Sequence, residues 1–154
     1  MIKFKFLPHT ADVKFQSFGK DLEECFKNAA LALTNIICKE KVKSLKKQRI
    51  KVYGRDLDNL LYNFLEEILF LIDVYDLLLS DVELKITGVG EQLKKRKYEL
   101  EAEIYGDDIK NYNTELAVKA VTYNEMFIKS EKIKGETIFT CQVVVDVWTF
   151  YSYY

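Results

Sequence analysis

Asp21-Leu22-Glu23-Glu24-Cys25-Phe26-Lys27-Asn28-Ala29-Ala30-Leu31-Ala32-Leu33-Thr34-Asn35-Ile36-Ile37 is the stretch that decides the fold. Leu22, Cys25, Phe26, Ala29, Ala30, Leu33, Ile36 and Ile37 recur at steps of three and four, which places them on one stripe of a helix. Asp21 can cap that helix, and Glu24 stands three residues on, where a capping box places its acid. A helix with one apolar stripe lies against something flat. A second helix from about Asp58 to Tyr75 carries Leu60, Leu61, Phe64, Leu65, Ile68, Leu69, Leu71 and Ile72. These cover more than half its circumference, so it is the more deeply buried of the two.

The rest of the chain reads at period two and supplies the flat surface. Val82, Leu84 and Ile86 alternate with Glu83, Lys85 and Thr87; Tyr98, Leu100, Ala102 and Ile104 alternate with Glu99, Glu101 and Glu103. One face dry and one wet is the antiparallel pattern, with Gly88-Val89-Gly90 marking the connection. Ile2 to Leu7, Val13 to Phe18, Arg49 to Tyr53, Val118 to Tyr123 and Thr137 to Val147 complete the expected strands. The economical architecture is an α+β two-layer sandwich, two main helices packed on a mainly antiparallel sheet.

Composition narrows the function classes. At 154 residues, 49% hydrophobic and 31% charged, the chain fits one globular domain and not a disordered segment. Lys and Arg number 23 against 24 Asp and Glu, for a net charge of -1, which argues against a general polyanion binder. One proline and six glycines leave little linker material, and no internal repeat is visible. The N-terminus lacks an apolar run of signal-peptide length. The run Leu60 to Leu79 contains Glu66, Glu67, Asp73 and Asp76. Each such acid at bilayer depth costs about 3 kcal/mol, so this is a buried helix of a soluble protein. Cys25, Cys38 and Cys141 are odd in number and form no C-x-x-C. Cys25 reads as a small core residue, nothing suggests an oxidising compartment, and the expected location is the cytoplasm.

The usual catalytic sets are missing. His9 is the one histidine, without a G-x-S-x-G, a P-loop, a G-x-G-x-x-G or a zinc ligand set. Two carboxylates are oddly placed instead. Asp146 interrupts Val143-Val144-Val145-Asp146-Val147, and Asp12 opens a strand after Pro8-His9-Thr10-Ala11. If the first and last strands lie close, the two acids meet and repel unless a cation sits between them. Spacing alone favours the plainer reading, each aspartate on the solvent face of its strand.

Pro8-His9-Thr10-Ala11-Asp12-Val13, Lys119-Ala120-Val121-Thr122-Tyr123 and Val143-Val144-Val145-Asp146-Val147, in that order and with the two helices, resemble the archease family over roughly residues 2 to 147. The resemblance implies a domain over 1–147 followed by an aromatic extension, 148–154. It implies an accessory factor for an RtcB-class tRNA-splicing RNA ligase, promoting guanylylation of the ligase and its turnover, and not an enzyme. It further implies a divalent cation, calcium or magnesium, on Asp12, Asp146 and the main-chain oxygen of Val147, with Lys119 functional and tRNA involved indirectly. His9 would orient Asp12 or pack beneath it.

The chain departs from the family pattern in three places. Asn124 stands where a histidine is usual, and Ala117 where a glutamate is common. Family chains often stop at the residue matching Val147, where a free carboxylate helps hold the metal. Here Trp148-Thr149-Phe150-Tyr151-Ser152-Tyr153-Tyr154 follows, so Val147 offers a neutral carbonyl.

Lys39 to Arg49 and Lys94-Lys95-Arg96-Lys97 read as solvated turns, with tRNA or an acidic ligase surface as the functional alternative. The C-terminal aromatics read as packing over a sheet edge. The competing function is a chaperone-like binding module for an RNA-modifying enzyme such as a tRNA methyltransferase. A stand-alone metal-dependent hydrolase lacks a general base beyond His9.

Overall fold

The computed structural model describes residues 1–9, 11–88 and 96–148. Among them, seven strands and two long helices run β1 (Phe4–Leu7), β2 (Val13–Gly19), α1 (Leu22–Ile37), β3 (Lys46–Gly54), α2 (Leu57–Tyr75), β4 (Leu77–Gly88), β5 (Tyr98–Asp108), β6 (Ala117–Ile133) and β7 (Glu136–Trp148). The α+β class holds, and every strand pair is antiparallel. The strands form two sheets, β1-β2-β7-β6 and β3-β5-β4. Both helices touch both sheets, so the helical layer joins them. Phe15, Phe26, Leu61, Phe64 and Val143 are fully buried in the shared core, and the Phe26 and Phe64 rings stack with centroids 6.2 Å apart.

α1 begins at the expected cap. Asp21 Oδ1 accepts from the Glu24 amide at 2.8 Å, and Glu24 Oε1 accepts from the Lys20 amide at 3.1 Å. α2 begins at Leu57, one residue earlier than the apolar pattern indicates. Its cap is Asp56, whose Oδ1 accepts from the Asn59 amide at 2.7 Å, while Asp58 lies inside the first turn. The apolar run Leu60 to Leu79 is not one helix either. Asp76 takes the left-handed conformation (φ 56°) and its amide bonds back to Ile72, after which Leu77–Leu79 continue as buried strand. Hydropathy reads both halves alike, because helix and strand here are equally buried.

The two helices enter through the same turn, a repetition that the sequence reading did not find. Phe18-Gly19-Lys20-Asp21-Leu22 and Tyr53-Gly54-Arg55-Asp56-Leu57 each close a strand and open a helix. Ten residues after the aromatic, Asn28 and Asn63 donate from Nδ2 to the Phe18 and Tyr53 carbonyls at 2.7 and 2.8 Å. A Cβ on Gly19 or Gly54 would strike the backbone of Cys25 or Leu60, so each glycine permits the strand end to touch the helix. Most residues between turn and asparagine differ, which hides the repeat until its hydrogen bonds are seen. The predicted Gly88–Gly90 connection lies, beyond Gly88, outside the described residues.

The caps can be told apart by mutation. Asp56→Ala is expected to cost about 1 kcal/mol in urea unfolding through loss of the cap. Asp58→Asn, whose carboxyl is held above its ordinary pKa by burial and by repulsion from Asp56, should stay within about 0.5 kcal/mol of the parent. Equal losses would return the helix start to Asp58.

Candidate functional site

β2 and β7 lie side by side with Val13 opposite Val145. One further step in that register sets Asp12 opposite Asp146, near enough for the second carboxyl to act on the first. Alternation fixes which way they face. Phe15, Val143, Val145 and Val147 pack into or against the helix-side core, so Asp12 and Asp146 take the opposite face, half-buried. Gln16 and Gln142, on that same face, hydrogen-bond at 2.9 Å. The Asp12 carboxyl is raised above its ordinary pKa, first by burial, then by its hydrogen bond with Asp146 and by that residue's charge; His9 pulls the other way.

His9 comes from the loop before β2. Its Nε2 lies 3.1 Å from Glu125 Oε2, while its Nδ1 lies 3.8 Å from Asp12 Oδ2, is buried, and has no hydrogen-bond partner among the described residues. Nε2 is thus engaged by Glu125, and Nδ1 is the ring atom that faces Asp12. An orphaned nitrogen beside two paired acids is relieved by a positive charge placed among them. The residues present therefore fit a divalent cation.

Glu125 is the site residue that sequence reading missed. The ladder between β6 and β7 breaks from Thr122↔Val144 to Phe127↔Gln142, so four residues on β6 face Val143 alone. Glu125 sits in that break at φ 52°, its carbonyl accepting from Gln142 Nε2 at 2.8 Å, with Lys14 Nζ 3.7 Å from its carboxylate. A positive φ on a non-glycine residue leaves no trace in hydropathy. Asn124, in the same break, bonds its amide to Thr122 Oγ1 at 3.2 Å.

Lys119 also occupies an irregularity. Val118 pairs with Val147 and Ala120 with Asp146, so Lys119 is the extra residue of a bulge on the edge of Asp146's own ladder. Its Nζ sits 4.6 Å from the centroid of the ring of Trp148, the last residue of β7. The β2 ladder ends at Val13↔Val145, which carries the main chain of Asp146 and Val147 past the last β2 pair while β6 still holds it. The residues after Trp148 lie outside those described.

Of the basic cluster Lys39 to Arg49, Lys47 and Arg49 are paired within their own sheet, as is Lys51 just beyond it. Lys47 and Arg49 reach Glu103 at 3.8 and 3.3 Å, and Lys51 reaches Glu99 and Glu101 at 3.5 and 3.2 Å. Arg96, from the second cluster, lies over the Tyr53 ring, and Lys94 and Lys95 fall outside the described residues. Cavities of about 350 and 480 Å³ lie elsewhere: one is lined by Leu69, Asp73 and Leu116, the other by Lys27, Cys38 and Ser80. Among the described residues no helix is long and apolar enough to cross a membrane, and no three His, Cys, Asp or Glu residues form a ready-made metal cluster.

The paired acids set a pH dependence. A carboxyl whose folded pKa is raised adds stability below its unfolded value, and that contribution is lost as pH rises through the folded value. At neutral pH without divalent ions, Asp12→Asn should therefore melt above the parent, by scanning fluorimetry in chelator. The gap should close as pH falls toward 3.8, the ordinary value for Asp12. A variant that melts below the parent at neutral pH would show that the carboxylates do not repel.

Comparison with known proteins agrees with this architecture. The sequence profile of the Archease protein family matches residues 4–147. "Protein archease" of Pyrococcus abyssi is 35% identical over 150 residues, covering 96% of this chain and all of the relative. "Protein archease" of Pyrobaculum calidifontis is 36% identical over 151 residues, covering 94% and 95%. The solution structure of Methanobacterium thermoautotrophicum protein 1598 superposes with a TM-score of 0.72 at 30% identity, covering 94% of this chain and 98% of that one. With the family profile spanning nearly its whole length, this chain belongs to the archease family.

Proposed function

We propose that this chain is a cytosolic, non-catalytic activator of an RtcB-class tRNA-splicing RNA ligase, promoting guanylylation of the ligase and its repeated turnover through a bound divalent cation, calcium or magnesium. The observation that carries the reading is Asp12 opposite Asp146 on one face of the sheet, beside the unpartnered Nδ1 of His9. Asp12 and Asp146 would hold the ion through hard carboxylate oxygens, with the Val147 carbonyl as a third donor. When bound, the ion stabilises negative charge developing on phosphate oxygens during nucleotidyl transfer.

The chain's own residues have distinct tasks in this reading. Glu125 holds the His9 ring in place, and His9 in turn borders Asp12, so the acids keep their orientation. Glu125 also contributes a negative charge near the site. That partly compensates for Val147 being a mid-chain residue instead of a terminal carboxylate. Lys119 stands on the bulge as a cation for a phosphate or a carboxylate of the ligase, held over the Trp148 ring until then. The tRNA is served indirectly, through the ligase. The site opens onto the sheet face, which suits presentation to another macromolecule better than enclosure of a small substrate.

Calorimetry and a ligase guanylylation assay test this together. Asp12→Ala and Asp146→Ala should remain folded, lose calcium binding and give no stimulation above ligase alone. Glu125→Gln should weaken calcium binding by roughly 10–100-fold, as loss of an orienting partner does. Lys119→Ala should keep calcium binding and lose stimulation. Full stimulation by the Asp12/Asp146 double variant would exclude the proposal.

A further inference from the structure

Cys25 and Cys141 are separated by 116 residues in sequence, yet their sulfurs lie 3.0 Å apart in the core. Cys25 belongs to the second turn of α1 and Cys141 to β7, where it stands opposite Ser17 of β2. Both thiols are fully buried and unbonded, as is Cys38, which lies at the far end of α1. The surroundings of the pair are polar for a core position. Ser17, also fully buried, donates from Oγ to the Cys25 carbonyl at 2.9 Å; its Oγ lies 3.7 Å from Cys25 Sγ, which donates to the Ser17 carbonyl at 3.4 Å.

We propose that Cys25 and Cys141 are an oxidative cross-linking site, joined by a hydroperoxide into a disulfide that staples α1 to β7. The two sulfurs already face each other, so little chain movement is needed. The chemistry has two steps. The Cys25 sulfur attacks one peroxide oxygen, the O–O bond breaks, and the departing oxygen takes up the thiol proton to leave as water or an alcohol, giving a sulfenic acid. The Cys141 sulfur then attacks the Cys25 sulfur; the S–S bond forms, the S–O bond breaks, and the hydroxyl leaves as water with the Cys141 proton. Two thiols lose two electrons, and one peroxide gains them.

The roles are set by surroundings. Contact with the Cys141 thiol holds the Cys25 thiol below its ordinary pKa against the effect of burial, and it lies near the helix N-terminus, whose partial positive charge favours a thiolate. Burial foremost pushes the Cys141 thiol well up. Cys25 is therefore the attacking sulfur and Cys141 the resolving one. The inference stands apart from the metal site, although Cys141 and Asp146 share β7.

The test treats the full-length reduced protein with hydrogen peroxide, then counts thiols in denaturant and maps peptides by mass. Three titratable thiols should fall to one, with a peptide joining Cys25 to Cys141 that dithiothreitol releases. Cys38→Ser should cross-link normally; Cys25→Ser and Cys141→Ser should form no intramolecular disulfide. The oxidised parent should melt roughly 5–15 °C higher, because the link closes a loop of over a hundred residues. Peptide mapping of the parent decides the matter even if a serine variant fails to fold. Three surviving thiols, a link to Cys38, or oxygen added to Cys25 without a link would overturn the site, and a link without a thermal gain would overturn the staple.

Discussion

The pairing of β2 with β7 is the contact on which the rest of this molecule depends. It joins strands from opposite ends of the chain and runs from Val13↔Val145 to Gly19↔Phe139. Closing so long a loop costs entropy, and the gain that offsets it is the burial of Phe15, Ser17, Cys141, Val143 and Val145 beneath the helices. That burial also fixes the register. A slip of one residue would turn Phe15 and Val143 out to solvent and bring Lys14 and Gln142 in, so the core admits one alignment. Asp12 meets Asp146 because the valines and phenylalanine on the other face leave it no other partner. Packing on one face of the sheet thus sets chemistry on the other.

The charged surfaces divide on the same basis. Across the β3-β5-β4 sheet, Lys47, Arg49 and Lys51 find Glu99, Glu101 and Glu103, and exposed pairs of this kind contribute little beyond cancelling one another's field. At the end of β2 the opposite arrangement holds, acid against acid, with His9 drawn toward Glu125 and Lys14 also committed there. On the first sheet unlike charges pair; at this end of the second, like charges are brought together.

Much of this was legible in the chain, and the illegible parts share a cause. The helices showed through their apolar stripe and the Asp21 cap, the strands through alternation, and Asp146 through its incongruity among valines. What escaped reading depends on backbone torsions or on distant contacts. Asp76 ends α2 by turning left-handed inside an unbroken apolar run, and Glu125 enters the site by the same kind of torsion. The division into two sheets, the Asn28 and Asn63 bonds that reveal the repeated entry turn, and the approach of Cys25 to Cys141 are properties of the assembled core. Periodicity reports what each segment buries; it does not report which segment lies opposite.

The departures from local rules gather around one end of the β2-β7-β6 ladder. Lys119 is the surplus residue of a bulge, Glu125 holds a strained torsion, His9 keeps an unpartnered nitrogen, and two aspartates are paired. Each feature costs stability, and each costs it within a few residues of Asp146 along the ladder, while the same strands farther on pair regularly to the Lys134-Gly135 turn. Random imperfection would scatter. Concentrated strain of this kind persists because the buried register over-determines the surrounding backbone, and the cation of the proposed function would relieve two of the four irregularities at once, the paired acids and the orphaned nitrogen, while the Glu125 torsion stays with the backbone. Lys119 is a further exception, since a cation beside another gains nothing from that ion. Its bulge instead sets the ammonium over the Trp148 ring, at the edge of the ladder that carries Asp146.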